Sequence, residues 1–332
     1  MKLLEFTRYS EWWEYKMVPL LAITYAFIHV AQLQFAAIYY DLIFSLSAIV
    51  VGAVYVSVIN DMTDINEDLI AGKRNRMASV PVFYRKVIVS CCLIAGAIFG
   101  FMIYPNMLSL FFYLMAWIAF SLYSISPFRL KKRGVWGVLC DAMGAHLFPT
   151  LFVVTYLSGL HNSTLSSWWY FEVGVWSFAY GLRGILWHQF FDRNNDLKSG
   201  TTTFATKRNP EHFYKQELII FTIEVAAFAA IFIKTINIWT ASALGIYIIL
   251  VFIRTFAFKY QNTLIITPIG SPYQILLNDF YLVFFPLSLL LTSTTSDPKG
   301  WIFLCCHLVL FPSKTILVCN DFTFFLRTLS RK

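Results

Sequence analysis

Stretches of about 20 mostly apolar residues recur along almost the whole chain, and no other feature limits its fold so tightly. At 1.5 Å of rise per residue, one such stretch crosses the roughly 30 Å hydrocarbon layer of a bilayer as a helix. A helix suits that environment because it satisfies its own backbone hydrogen bonds. The apolar runs predict spans at 17–38, 40–60, 84–104, 106–125, 136–158, 169–191, 214–233, 238–257 and 272–292. A further stretch, 301–318, is interrupted by Pro312 and Lys314. The expected architecture is therefore an all-α polytopic membrane bundle of nine helices, or ten if that stretch crosses. Residues 1–332 read as a single transmembrane domain.

Charge supports this class and excludes others. Only 13% of residues are charged, about half the 25% of a soluble domain, too few to cover a soluble surface. A formal charge of +8 would suit a nucleic-acid binder, but the basic residues lie in loops between the apolar runs. The loop after span two carries Lys73, Arg74, Arg76, Arg85 and Lys86, and that after span four Arg129, Lys131, Lys132 and Arg133. The loop after span six carries Arg193, Lys198, Lys207, Arg208 and Lys215, whereas Lys234 and Lys299 are the main basic residues of the opposite face. This asymmetry is the positive-inside pattern, and it puts the N-terminus and the even-numbered span ends in the cytoplasm. The expectation is a multi-pass protein of the inner (cytoplasmic) membrane whose active site faces the cytoplasm. Its partners would be membrane lipids rather than nucleic acid, and no segment calls for an obligate protein partner. The six cysteines show no metal-type spacing.

Two aspartate clusters stand out against this apolar background. Asn60, Asp61, Asp64 and Asp68 follow span two, and Asp61, Asp64 and Asp68 share one face if the helix continues. Asp192 and Asp196 follow span six, one helical turn apart, beside His188 and Lys198. Both clusters open on the same membrane side, so they are expected to converge on one cavity. Stacked carboxylates repel unless cations sit between them. Hard oxygen donors of this kind suit Mg²⁺ that also holds substrate phosphates. The carboxylates of both clusters are candidate ligands by this chemistry, and Asn60 offers either a neutral oxygen ligand or a hydrogen bond to one carboxylate.

Basic and aromatic residues surround these clusters in sequence. Arg129 and Lys131 lie in the stretch Tyr123–Gly134, within reach of the same face, and have the chemistry to bind diphosphate oxygens. Lys73, Arg74, Tyr123, His188 and Lys198 complete the candidate substrate-binding set. Arg183 lies inside span six, where a charge is costly. Its expected role is as a diphosphate or aspartate partner, with a structural ion pair to Asp141 as the alternative.

These motifs resemble the UbiA superfamily of intramembrane prenyltransferases. The signature NDxxDxxxD matches Asn60, Asp61, Asp64 and Asp68, and DxxxD followed by Gly and Thr matches Asp192, Asp196, Gly200 and Thr202. The stretch YSxxPxRLKxRG matches Tyr123 to Gly134, and the HQxxDxxxD form through His188 and Gln189 is similar to a bacterial branch. The resemblance runs from the first span to about residue 312. It implies a nine-helix bundle in which the two aspartate motifs hold two Mg²⁺ ions and an isoprenyl diphosphate, with Asp61, Asp64, Asp192 and Asp196 as metal ligands and Asn60 and Asp68 supporting. The implied reaction transfers the prenyl group to an aromatic or other lipophilic acceptor. One departure is the segment Lys73–Met77, which lacks the proline usual after the first motif's basic residues. Cyclisation of a polyprenyl diphosphate by the same apparatus, and a non-enzymatic transporter or scaffold, are the competing readings.

Overall fold

The computed structural model describes residues 7–330 apart from 71, 73 and 164, and these are largely helical. The helices are α1 (Tyr9–Val30), α2 (Phe35–Ile70), α3 (Val82–Ile103), α4 (Met107–Ser124), α5 (Val135–Ala142) and α6 (Phe148–Leu160). They continue with α7 (Ser167–Ser199), α8 (Tyr214–Lys234), α9 (Ile238–Phe252), α10 (Phe285–Ser296), α11 (Gly300–Leu310) and α12 (Pro312–Leu329). Single π-helical turns join α5 to α6 at Met143–Leu147, extend α9 at Ile253–Ala257 and precede α10 at Phe280–Phe284. Among the described residues, six helices are long and apolar enough to cross a membrane, or seven if α11 and α12 count as one bent span. The protein is thus an integral membrane protein, and the expected nine or ten crossings exceed what length and composition establish.

Several boundaries differ from those expected. The apolar run predicts a first span at 17–38, but α1 ends at Val30 and residues from Phe35 already belong to α2. The ninth is predicted at 272–292, but residues Tyr273–Ile275 form a strand and the π-helical turn starts at Phe280. Strands β1 (Gln261–Thr263) and β2 (Tyr273–Ile275) pair in parallel, a small exception to an all-helical chain. The interrupted stretch 301–318 breaks at Pro312, with an 85° bend between α11 and the helix that follows. Proline cannot donate its backbone nitrogen to continue the ladder, which fits a break there.

The chain divides into two compact units. One comprises the N-terminal residues up to Glu11 with Tyr40–Ala227, and the other Trp12–Tyr39 with Phe228 onward. In the first unit, α4 packs on α6 and α5 on α7. A Cβ added at Gly181 of α7 would fall 2.9 Å from the Ala142 oxygen, so only glycine allows these helices to come this close. At 36 and 33 residues, α2 and α7 are about 50 Å long, well beyond the thickness of the hydrocarbon layer. Their last turns therefore project past the apolar region, and these turns carry the two aspartate clusters. Gly200, at φ 71° in the left-handed region, ends α7 and returns its N–H to the Asp196 and Leu197 oxygens.

In the second unit, Arg254 joins three elements. Its Nη1 donates to Asp279 at 2.5 Å, and Nε and Nη2 reach Asp321 at 2.8 and 2.7 Å. Glu14 caps α12 by accepting from the backbone N–H groups of Ser313 and Lys314.

Candidate functional site

The first unit contains a cavity of about 420 Å³ whose lining includes every aspartate of both clusters. From α2 come Asn60, Asp61, Asp64, Glu67 and Asp68, and from α7 His188, Gln189, Asp192 and Asp196. Tyr123, Lys131 and Lys132 approach from α4 and the turn after it, and Arg74 and Arg76 from the loop after α2. Arg8 and Glu11 come from the N-terminal end, and Thr201 and Thr203 from the segment after α7. The continuing helix puts Asp61, Asp64 and Asp68 on one face, as their spacing predicts.

Cations hold the α2 cluster. Lys131 Nζ donates to Asn60 Oδ1 at 3.0 Å and Thr63 Oγ1 at 3.2 Å, and also to Asp64. Arg129 Nη2 donates to Asp64 Oδ1 at 2.8 Å and pairs with Glu67 at 2.9 Å. The turn carrying Lys131 lies tightly on α5, where a Cβ at Gly137 would come within 2.7 Å of the Leu130 oxygen. Burial pushes the Lys131 amine below the usual lysine value, and the neighbouring Asp64 carboxylate opposes that shift without cancelling it. Arg8 Nη1 donates to Asp61 Oδ1 at 3.1 Å. The α7 cluster is held differently. Thr203 Oγ1 donates to Asp196 Oδ2 at 3.4 Å, and His188 Nε2 lies 3.9 Å from Asp192. Gln189 Oε1 accepts from the Phe204 N–H at 3.1 Å, folding the segment after α7 back over its end.

Arg74, Tyr123, Lys131 and His188 lie where their sequence positions suggested, on the cavity wall. Arg129 does not line it but pairs with Asp64, and Lys198 is not part of the wall. Lys73 lies outside the described residues. Arg183 requires a correction. It pairs with Glu224 of α8 through Nε at 2.7 Å, not with Asp141, and it is not in the cavity. Its guanidinium also lies 5.3 Å from the Phe221 ring centre. The sequence carried a signal for this pair, since Glu224 is an acid inside an apolar span and needs a partner there.

Sequence reasoning missed Arg8, Glu11, Arg76 and Asn75 as parts of this region. Asn75 Nδ2 donates to the Asp61 backbone carbonyl oxygen and to Asp68 Oδ2, both at 2.8 Å. Its Oδ1 accepts from the N–H groups of Met77 and Ala78.

The donor set fits Mg²⁺ in chemistry. Every candidate ligand is an oxygen donor, and Asp61 Oδ2 is buried with no hydrogen-bond partner. Among the described residues, no three His, Cys, Asp or Glu side chains come close enough to hold an ion by themselves. Mg²⁺ does not need such a cage, because it is commonly held by one or two carboxylates together with substrate phosphates and water.

The family model of the UbiA prenyltransferase family matches residues 20–265, which include both aspartate clusters. The chain belongs to the UbiA prenyltransferase family. Its fold is similar to that of a UbiA homolog from Archaeoglobus fulgidus, solved bound to GPP and Mg²⁺. That structure gives a TM-score of 0.60 at 16% identity over 92% of this chain and 100% of the homolog. The same homolog bound to DMAPP and Mg²⁺ also gives 0.60 at 16% identity, over 92% of this chain and 99% of the other. No curated protein matches the chain.

Proposed function

We propose that this UbiA family member transfers a prenyl group from an isoprenyl diphosphate to an aromatic or other lipophilic acceptor within the membrane, in a reaction that depends on Mg²⁺. The observation that carries the reading is the meeting of Asp61, Asp64 and Asp68 of α2 with Asp192 and Asp196 of α7 around one cavity. The archaeal homolog with the similar fold was solved with GPP or DMAPP and Mg²⁺, which suggests the same ligand classes here.

Asp61, Asp64, Asp192 and Asp196 are the residues that would hold Mg²⁺, with Asn60 and Asp68 supporting. The metal, when bound, offsets the negative charge that builds on the departing diphosphate. Lys131, Arg74 and Arg76 face the same cavity and add fixed positive charge for those oxygens. The allylic C–O bond breaks with its electron pair going to the diphosphate. The acceptor then supplies the pair for the new bond to the prenyl carbon and loses a proton. Apolar helices around the prenyl chain would keep water from the electron-poor carbon. By the positive-inside pattern, the cavity opens toward the cytoplasm at the inner membrane.

The test is diphosphate release by the purified protein in lipid. Isoprenyl diphosphates of several lengths would be supplied with Mg²⁺ or EDTA, and a host lipid extract would serve as acceptor source. Release that needs Mg²⁺, together with a prenylated acceptor seen by mass spectrometry, supports transfer. A cyclised hydrocarbon product would move the assignment to a terpene cyclase. Lack of release from folded protein with every substrate would favour a transporter or scaffold.

A further inference from the structure

Arg8 belongs to neither aspartate-bearing helix, yet it lines the cavity and contacts Asp61. It lies just before α1 with φ 53°, in the left-handed region that residues with side chains seldom adopt, so its contacts must hold it there. Nη1 donates to Asp61 Oδ1 at 3.1 Å, and Nε donates to Glu11 Oε2 at 2.8 Å. The other Glu11 oxygen accepts from Arg76 Nη2 at 2.7 Å. One carboxylate thus bridges two guanidiniums, and all three side chains line the cavity. Asp61 is only 3% exposed, and its Oδ2 is buried without a hydrogen-bond partner.

We propose that Arg8 is a resident counter-ion of Asp61 that a divalent cation displaces, and that the released guanidinium, kept nearby by Glu11, binds the diphosphate. The proposal rests on the function proposed above. A carboxylate buried as deeply as Asp61 needs a counter-charge to stay ionised. Arg8 supplies one, but it engages only Oδ1. A divalent cation carries twice the charge and has Oδ2 available, so it competes for the same side chain from the stronger position. Asp61 keeps a positive partner throughout the exchange. Arginine never sheds its proton, and its planar fork matches phosphate oxygens. The Glu11 bridge keeps both Arg8 and Arg76 beside the cavity while Arg8 changes partner.

The experiment measures two affinities of the full-length protein in detergent by titration calorimetry. The first is for Mg²⁺ alone, and the second for inorganic diphosphate at saturating Mg²⁺. Arg8→Gln should bind Mg²⁺ about fivefold more tightly and inorganic diphosphate about fivefold more weakly, the scale of one net hydrogen bond. Arg8→Lys, which keeps the charge, should fall between wild type and Arg8→Gln in both titrations. It also serves as the folded control if Arg8→Gln is unstable. Unchanged or weaker Mg²⁺ binding in Arg8→Gln, or in Arg8→Lys when that variant must stand in, overturns the proposal. Asp61→Asn separates the two levels. If it weakens Mg²⁺ binding while Arg8 substitution has no effect, only the counter-ion role fails. If Asp61→Asn leaves Mg²⁺ binding intact, the carboxylate site fails and the counter-ion role fails with it.

Discussion

Asn75 donates a hydrogen bond to Asp68 Oδ2 at 2.8 Å, tying the loop after α2 back onto the last carboxylate of the first cluster. All of its side-chain hydrogen-bonding groups are engaged, because Nδ2 also reaches the Asp61 backbone carbonyl oxygen and Oδ1 accepts from Met77 and Ala78. Replacement by alanine would leave these groups without their partner. Asn75→Ala is expected to cost about 1–3 kcal/mol of stability and to weaken Mg²⁺-dependent diphosphate binding. Thermal unfolding and calorimetry on the same preparation check both effects.

The buried pair of Arg183 and Glu224 predicts an asymmetric response to substitution. Glu224→Leu leaves a guanidinium that cannot lose its charge, whereas Arg183→Leu leaves a carboxyl that can take up a proton. Breaking a buried pair costs about 3–5 kcal/mol, and the larger loss should come from Glu224→Leu. Changing both residues to leucine should recover most of that loss. Mg²⁺ affinity should stay at the wild-type value in the double variant, because neither residue lines the cavity. Denaturation midpoints and Mg²⁺ titration of the three variants decide it.

Glu11 predicts a pH dependence. Burial tends to raise its pKa, but the hydrogen bond and charge of Arg8, aided by Arg76, outweigh burial and hold it below the usual carboxylate value. A carboxyl depressed in this way adds stability that is fully present above its unfolded pKa and is lost as pH falls through the folded one. The wild type should therefore lose stability more steeply than Glu11→Gln on acidification below about pH 4.5, the ordinary glutamate region. Melting temperature against pH for the two proteins tests this, and parallel curves would contradict it.

The helical class, the six strongly apolar helices and the two aspartate clusters were legible because each rests on local spacing. Asp61, Asp64 and Asp68 share a face through helix geometry alone, once α2 continues past the apolar run. The contacts of Arg8 and Asn75 were not legible, because they depend on how the N-terminal residues and a loop fold back over α2. The position of Arg183 inside an apolar run marks it as an unusual charge, but the run does not identify its partner. Asp141 and Glu224 lie almost equally far from Arg183 in sequence, on opposite sides, and it is α8 that supplies the acid. The boundaries at Val30 and Phe280 were blurred because the turn at 31–34 and the strand Tyr273–Ile275 alternate apolar residues with uncharged glutamines, which do not break an apolar run sharply.

The central claim is that the ends of α2 and α7 form one Mg²⁺-dependent diphosphate site. Its most direct test is calorimetric binding of an unreactive isoprenyl thiodiphosphate with Mg²⁺ to wild type, Asp61→Asn, Asp192→Asn and the double variant. Each single substitution should weaken binding by at least about tenfold, EDTA should abolish it, and the double variant should lose less than the product of the two single effects. Unchanged affinity in either single variant, with the protein folded, would contradict a shared site.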